Sequence, residues 1–427
     1  MRVRHFNTDL KGGAATSARR LHHSLLAQNV DSIFHYHPDH HDDVATSQDS
    51  ETFQSLIPVR RTGIDGLFRK RRDQQRRRDY RRYFANRPSD REIFSVPWQV
   101  KQTPFGKDRP SDIVHLHWVS SWLDLKSFMG SFPLKQPFVF SLHDMNAITG
   151  GCHHADECEN FKSACKSCPQ IDNPGPNDLG YRSFVYKRDL YSKQNVHIVT
   201  PSRWMENNVR SSALGKFVAS VQTIRNPLDL TQFQPLEKDE ARGSFSIPLN
   251  RPVIGFGAGS LSNNRKGFQD LLNALQLIVN ELPGTELTVL TFGVDDVQIP
   301  AISGIEFISL GFLPEPSQQQ LAYSAMDLFV LPSWAETISQ TGVEAMACST
   351  PVIAYEIGGV PEFVIPGQTG LLAKHRDPVD LAIKIRTAIK DLELTKEWGE
   401  NGRKFVGEKF SVGVSCQQHL ELYRSIV

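Results

Sequence analysis

The chain has little that would tie it to a bilayer interior, an oxidising compartment or a polyanion. No apolar run in its 427 residues approaches the roughly 18 that a membrane-spanning helix needs. Six cysteines are too few for a disulfide scaffold of this length. The formal net charge is +1, so the molecule as a whole offers no field that would draw in nucleic acid. The start, "MRVRHFNTDLKGGAATSARRL", lacks the continuous apolar core of a secretory signal, which leads us to expect a cytoplasmic protein. No repeat of solenoid period is visible, and low complexity is confined to one arginine-rich segment.

Short apolar, β-rich runs alternate with helical patterns. Strands are expected at 1–7, 31–36, 112–117, 137–142 and 195–200, and again at 252–258, 286–292, 304–309, 327–331 and 351–355. Helices are expected between them, at 15–28, 201–211, 267–281, 317–325, 341–348 and 378–391. Such alternation argues for parallel α/β sheets covered by helices on both faces. Single cores stop growing beyond about 250–300 residues, so two domains are the default for this length. The pattern restarts after a stretch rich in Pro, Asn and charge, which places a first domain at 1–225, a linker at 226–250 and a second domain at 251–410. The remaining 411–427 read as a terminal helix packing back on the first domain. The expected fold is α/β, two Rossmann-like domains facing across a cleft, with ligands beyond the carboxyl ends of the strands.

Four constellations fall at such ends. In "DLKGGAATSARRLHHSLL", Gly12 and Gly13 follow a strand and open a helix, whose free N–H groups suit an anion. The spacing is not that of dinucleotide enzymes, and a purely structural Gly pair reads as well. In "FSLHDMNAITGGCHH", His143 and Asp144 directly follow an apolar run; His143 could donate to a sugar hydroxyl or a phosphate oxygen, or simply be satisfied by Asp144 at a turn. In "GAGSLSNNRKGFQDLLNAL", Arg265 and Lys266 stand just before a helix, where fixed charge and backbone donors converge as in a diphosphate site. The plain alternative is a generic cationic loop.

The fourth is "WAETISQTGVEAMACSTPVIAYEIGGVPE". Glu336 lies in the loop after a buried strand, and Ser339, Gln340 and Thr341 open a helix whose N–H and hydroxyl groups can meet a ligand. Glu344 sits one turn inside that helix. Carboxylates accept paired hydrogen bonds from vicinal hydroxyls, so the two suit a ligand with a sugar at each end of a diphosphate. Two solvent-facing glutamates are the plain alternative.

With these elements in order, the sequence resembles a retaining glycosyltransferase of family 4 with the GT-B architecture. The resemblance spans nearly the whole chain and is densest from Pro332 to Gly370, where "EAMACSTPVIAYEIGGVPEFVIPGQTGLL" follows that family's signature. It implies a hexosyltransferase with an acceptor-side first domain and a nucleotide-sugar-binding second domain. By it Glu336 binds donor-sugar hydroxyls and Glu344 the ribose, while Arg265 or Lys266 and the Gly13 backbone hold the diphosphate. His143 then lies near the reacting sugar, Gly358-Gly359 let a loop pass close to the nucleotide, and His143, Glu336, Lys266 and Arg265 are the candidate catalytic residues. The chain departs from the family at one point. Many members have Gly-Arg after the first strand of the second half, whereas Ser260 follows Gly259 here. Either Arg265 supplies that charge or the phosphate is held more weakly; Lys266 matches the family's lysine.

The implied chemistry is front-face attack by the acceptor, assisted by the departing phosphate oxygen, with cations and helix-end N–H groups stabilising the leaving diphosphate. The family generally needs no metal for this step, and no DxD pair is poised for one. The implied donor is a UDP- or GDP-sugar and the acceptor a saccharide or lipid-linked glycan in cell-surface polysaccharide synthesis.

Two features exceed this core. Cys152, Cys158, Cys165 and Cys168 lie within seventeen residues, including one C-x2-C, which leads us to expect a structural zinc knot beside His143. His153 and His154 are spare ligands; disulfides or free thiols are the alternatives. Similar cysteine-bearing inserts occur in a polysaccharide-building subgroup of the family. The segment from Phe68 to Phe84, "FRKRRDQQRRRDYRRYF", carries nine Lys or Arg against two Asp. Phe68, Tyr80 and Phe84 could dip into a bilayer surface while arginines meet anionic headgroups, giving a peripheral association at the inner face of the membrane. A solvated cationic helix is the plain alternative. Nucleic acid is not expected, since no base-stacking platform accompanies the arginines.

Two other classes stay open. An epimerase or phosphorylase on the same fold would need extra carboxylates or a lysine-held pyridoxal phosphate, and neither signature is visible. A zinc-stabilised module binding nucleic acid or membrane through 68–84 would leave the two glutamates unexplained.

Overall fold

The computed structural model describes residues 1–37, 39, 52–58, 69–88, 93–98, 105, 111–294 and 297–427. Two compact units divide the chain, one of Met1–Asn226 with Ser415–Val427, the other of Pro227–Val414.

The first unit is built on a parallel sheet of β1 (Arg2–Phe6), β2 (Asp31–Tyr36), β3 (Phe53–Ser55), β4 (Ile113–Leu116), β5 (Pro137–Ser141), β6 (Asn195–Thr200) and β7 (Ser220–Thr223). Their order is β3-β2-β1-β4-β5-β6-β7, so the winding reverses between β1 and β4. In open sheets of this kind that reversal opens a crevice at the strands' carboxyl ends. Strands buried on both faces explain the near-continuous apolar runs. One face packs Phe6, Leu116, Phe138, Phe140 and Ile198 into a large aromatic-rich core. The other sets Val3, Ile113, Val139 and Val199 against Leu21 and Leu25 of helix Gly13–Ala27 and Cys416, Leu420 and Tyr423 of helix Val412–Ile426.

The second unit repeats the design with β8 (Val253–Ser260), β9 (Leu287–Val294), β10 (Ile305–Ser309), β11 (Leu328–Leu331), β12 (Val352–Tyr355) and β13 (Gly370–Ala373). All pair in parallel in the order β10-β9-β8-β11-β12-β13, reversing between β8 and β11.

The expected linker at 226–250 needs correction. Helix Lys238–Gly243 lies within it and belongs to the second unit. Arg242 is buried and donates to Asp327 Oδ2 at 2.6 Å, the same oxygen that accepts from the Val253 N–H at 2.7 Å. The charge read as a linker signal is instead an internal ion pair that anchors this stretch beside β8. Helix Arg69–Phe84 covers the basic segment; Phe68 lies outside the described residues.

Candidate functional site

In the second unit the loops after β8 and β11 flank the winding reversal, and they carry the residues singled out above. Asn263 opens the first loop by accepting the Arg265 N–H at 3.1 Å. The chain then turns through Lys266 and enters helix Phe268–Glu281 by way of Gly267, whose φ is +72°. A Cβ on Gly267 would stand 1.9 Å from the carbonyl oxygen of Pro332, so only glycine lets the two loops touch here. Further bonds stitch them together: the Trp334 N–H donates to Arg265 O at 2.8 Å, and the Arg265 guanidinium donates to Ala335 O at 2.9 Å.

This contact brings Lys266 Nζ to 2.6 Å from Glu336 Oε1, with Arg265 Nη1 3.9 Å from the same oxygen. Glu336 is buried while both cations keep partial exposure, so one carboxylate faces two cationic heads at a sheet's crevice. The carboxylate fixes the cations, and the cations can face an anion.

Asp270, in the first turn of the helix, accepts from Trp334 Nε1 at 2.8 Å and from the Tyr355 hydroxyl at 3.0 Å, bracing the Glu336 loop from behind. Gly358 and Gly359 pass close to the Glu336 backbone. Gly358 has φ +59°, a Cβ there would sit 1.8 Å from Glu336 O, and the Gly359 N–H reaches that oxygen at 3.3 Å. The pair clamps the Glu336 backbone.

Helix Gln340–Ala347 starts as expected, but Ser339 serves as its cap: its hydroxyl accepts the Gly342 N–H at 3.2 Å and lies 3.1 Å from the Thr341 hydroxyl. Glu344 is buried and accepts from the Tyr323 hydroxyl at 3.3 Å. Two nearby polar atoms in sequence, Ser333 Oγ and Gln340 Nε2, are buried without a hydrogen-bond partner among the described residues. Orphaned polar atoms of this kind ask for a ligand or water. Sequence reasoning singled out none of Tyr323, Ser333, Asp270 and Trp334, although Asp270 and Trp334 lie inside the quoted stretches.

In the first unit a cavity at the carboxyl ends of β4 and β5 is lined by His117, Ser141, His143, Asp144 and Lys187, among others. Burial pulls the His143 imidazole down to about 4, so it is neutral at physiological pH and offers one donor and one acceptor. His117 Nδ1 lies 3.3 Å from His143 Nε2. The charge of Asp144 favours the protonated form of the His143 ring, while its two oxygens also make hydrogen bonds to other groups. Asp144 Oδ2 pairs with His153 Nδ1 at 2.6 Å and accepts from Trp118 Nε1 at 2.9 Å, while Oδ1 accepts the Asn146 N–H at 2.8 Å. Burial pushes that carboxyl upward, but His153 outweighs it and holds it below the usual range. Lys187 is fully buried, donates to Asn146 O and Thr149 O, and is pulled by burial to about 8. It ties the turn that follows His143. Gly12 caps helix Gly13–Ala27 with φ +90° and nothing within 4 Å of a Cβ position, which leaves that helix start open.

All four cysteines are free, and among the described residues they form no group of three ligand atoms within 4.8 Å of one another. Cys165 Sγ instead accepts the Gly150 N–H at 3.0 Å. Burial pushes Cys152 up to about 11 and Cys165 and Cys168 up to about 12, which keeps them as thiols inside the core, whereas Cys158 is half-buried. One metal-competent group does gather among the described residues: His5, His115 and His117.

On the basic helix, Tyr80 is 65% exposed, but Tyr83 is buried and Phe84 packs on Phe94 with ring centroids 5.7 Å apart. Of the aromatics expected to meet a bilayer, Phe84 therefore faces the protein.

Residues 251–391 match the family described as Glycosyl transferases group 1. Over 228 residues the chain is 30% identical to the α-maltose-1-phosphate synthase of Mycolicibacterium smegmatis, covering 48% of this chain and 57% of that protein. The chain spans about half the length of the curated relatives it matches. Two solved structures superpose along its whole length: sucrose-phosphate synthase from Thermosynechococcus elongatus (TM-score 0.65, 18% identity, 100% of this chain and 99% of that one) and Anabaena HepE in complex with UDP (TM-score 0.65, 16% identity, 100% of both). The match to that family thus lies within the second unit. The chain as a whole has the GT-B fold of two Rossmann-like domains.

Proposed function

We propose that the protein is a retaining glycosyltransferase that moves a sugar from a UDP- or GDP-sugar to a saccharide or lipid-linked acceptor in glycan synthesis. The observation that carries this reading is the Lys266–Glu336 pair at the winding reversal of the second sheet, inside the segment matched to the family. The cationic heads of Lys266 and Arg265 stabilise the diphosphate as it takes up charge, and a carboxylate already in place spares them reorganisation. Glu336 is left with acceptor capacity for sugar hydroxyls, and Glu344, held by Tyr323, takes the ribose. Gln340 and Thr341 present the helix start, with Ser339 retained as its cap. The open helix start at Gly12 and Gly13 is the first unit's candidate for phosphate, and neutral His143 its candidate for a sugar hydroxyl. HepE, whose structures hold UDP or UDP-glucose, lends the donor class its support. No metal is required for the step in this reading.

A lipid-linked acceptor gives the basic helix a use. Arg77, Arg78, Arg81 and Arg82 are exposed beside Tyr80, a pattern suited to anionic headgroups. No helix among the described residues is long and apolar enough to cross a membrane, so any attachment by the described helices would be peripheral.

A screen of UDP-, GDP- and ADP-sugars for donor hydrolysis and for acceptor-dependent nucleotide release tests the reading. One nucleotide class should raise the melting temperature and be released faster with acceptor. Binding without acceptor-dependent release would favour an epimerase-type reaction, and no response to any nucleotide would refute the assignment.

A further inference from the structure

β1 and β4 are neighbours at the point where the first sheet reverses, and their pairing places His5 directly beside His115. Side chains two residues apart on a strand share a face, so His117, just past the end of β4, continues the same row. Val139 is the partner of His115 on β5, and Ser141 follows it on that face. A face meant only to be packed would carry branched aliphatics here, as it does at Val3, Ile113 and Val199. Three imidazoles occupy the layer instead, all buried, each with a ring nitrogen within 4.8 Å of the others'.

We propose that His5, His115 and His117 form a binding site for a divalent transition cation of the zinc type, held by three neutral imidazole nitrogens. The donor set is right for such an ion: borderline metals favour imidazole, and three histidines are a recurrent protein contribution to a four-coordinate zinc. The spacing fits as well. His5 Nδ1 and His117 Nε2 stand 3.1 Å apart, about the nitrogen–nitrogen edge of a tetrahedral site with bonds of about 2.0 Å. Ligand histidines commonly have their other nitrogen oriented by a partner, which holds for two of the three here, while His5 Nε2 has none among the described residues. His115 Nδ1 has the Tyr423 hydroxyl at 2.6 Å and His117 Nδ1 has His143 Nε2 at 3.3 Å. With Nδ1 on Tyr423, His115 Nε2 is the nitrogen for the ion, and the Ser141 hydroxyl 2.8 Å from it turns aside as the ion enters. His117 and Ser141 also line the cavity beside His143, which supplies an entry path from the carboxyl edge of the sheet.

The site lies in the first unit and is independent of the donor-site reading. The ion would staple β1 to β4 and, through Tyr423, fix helix Val412–Ile426 on the same face.

Purified protein stripped with chelator and then loaded with Co²⁺ provides the test. We expect one equivalent bound, with the intense visible bands of a four-coordinate nitrogen and oxygen environment and no near-ultraviolet sulfur-to-cobalt band. Zinc should compete the ion away, and the zinc-loaded protein should melt higher than the stripped one. His117→Gln and His115→Gln should each weaken binding at least tenfold, while Cys165→Ser leaves it unchanged. If the histidine variants fail to fold, X-ray absorption on the zinc-loaded wild type decides, with outer-shell imidazole scattering expected. No stoichiometric binding, a sulfur first shell, or binding that survives both histidine changes would overturn the proposal.

Discussion

Gly267→Ala is the sharpest perturbation of the second unit's site, because its cost can be assembled from the structure. The left-handed backbone alone costs a side-chain-bearing residue about 1–2 kcal/mol. The added methyl would meet Pro332 O at 1.9 Å, so the two loops must part by more than 1 Å. That separation breaks the Trp334 N–H bond to Arg265 O, a further loss of about 1 kcal/mol. With residual strain of about 1–2 kcal/mol, the total reaches roughly 4 kcal/mol. For a unit of this size that corresponds to a fall of roughly 10 °C in its melting temperature. Parting the loops also draws Lys266 from Glu336, so nucleotide-induced stabilisation should vanish. Scanning calorimetry with and without nucleotide reads both effects. Gly12→Ala is the control: φ is +90° but the Cβ position is open, so only backbone strain applies and the first unit should lose no more than about 2 kcal/mol. A Gly267→Ala protein that melts within 2 °C of wild type and keeps its nucleotide response would refute the loop-stitching account.

Glu336→Gln should lower transfer at least about 100-fold with the calorimetric profile nearly unchanged, since it removes charge but not shape; acceptor-dependent nucleotide release measures it. Iodoacetamide at pH 8 on native protein should modify Cys158 first of the four clustered cysteines. Burial holds Cys152, Cys165 and Cys168 far above that pH, and mass spectrometry of digests reads the order. Replacing Arg77, Arg78, Arg81 and Arg82 together by Ala should abolish co-sedimentation with vesicles rich in anionic lipid, while binding by the unaltered protein should weaken as salt rises. Equal sedimentation with neutral vesicles would count against an electrostatic surface.

Most of the architecture could be read ahead because buried parallel strands announce themselves as short apolar runs. The ten expected strands all form, with ends displaced by no more than two residues. The strands not anticipated, β3, β7 and β13, are three or four residues long, and β3 and β7 are only weakly apolar. Helix Leu392–Phe410 escaped notice because Gly399, Gly402 and Gly407 interrupt its pattern. Gly399 is there for packing: a Cβ would meet Ser349 O at 2.0 Å. Within the site, Lys266, Arg265 and Glu336 could be anticipated from motif position, and the structure brings them together. Their supports could not, because Asp270, Trp334 and Tyr355 meet only through tertiary folding. The four cysteines do come near enough in space to act on one another's thiols, with Cys158 toward the surface and the other three buried.

The placement of Ser415–Val427 has a consequence for biogenesis. Tyr423, Leu420 and Cys416 close a face of the first unit, yet the ribosome makes them only after all of the second. Until those residues emerge, the sheet's histidine-bearing layer is covered only by helix Gly13–Ala27 through the synthesis of nearly two hundred intervening amino acids. A nascent chain arrested before that point should expose this layer to chaperones, and late frameshifts should damage the half of the protein encoded first.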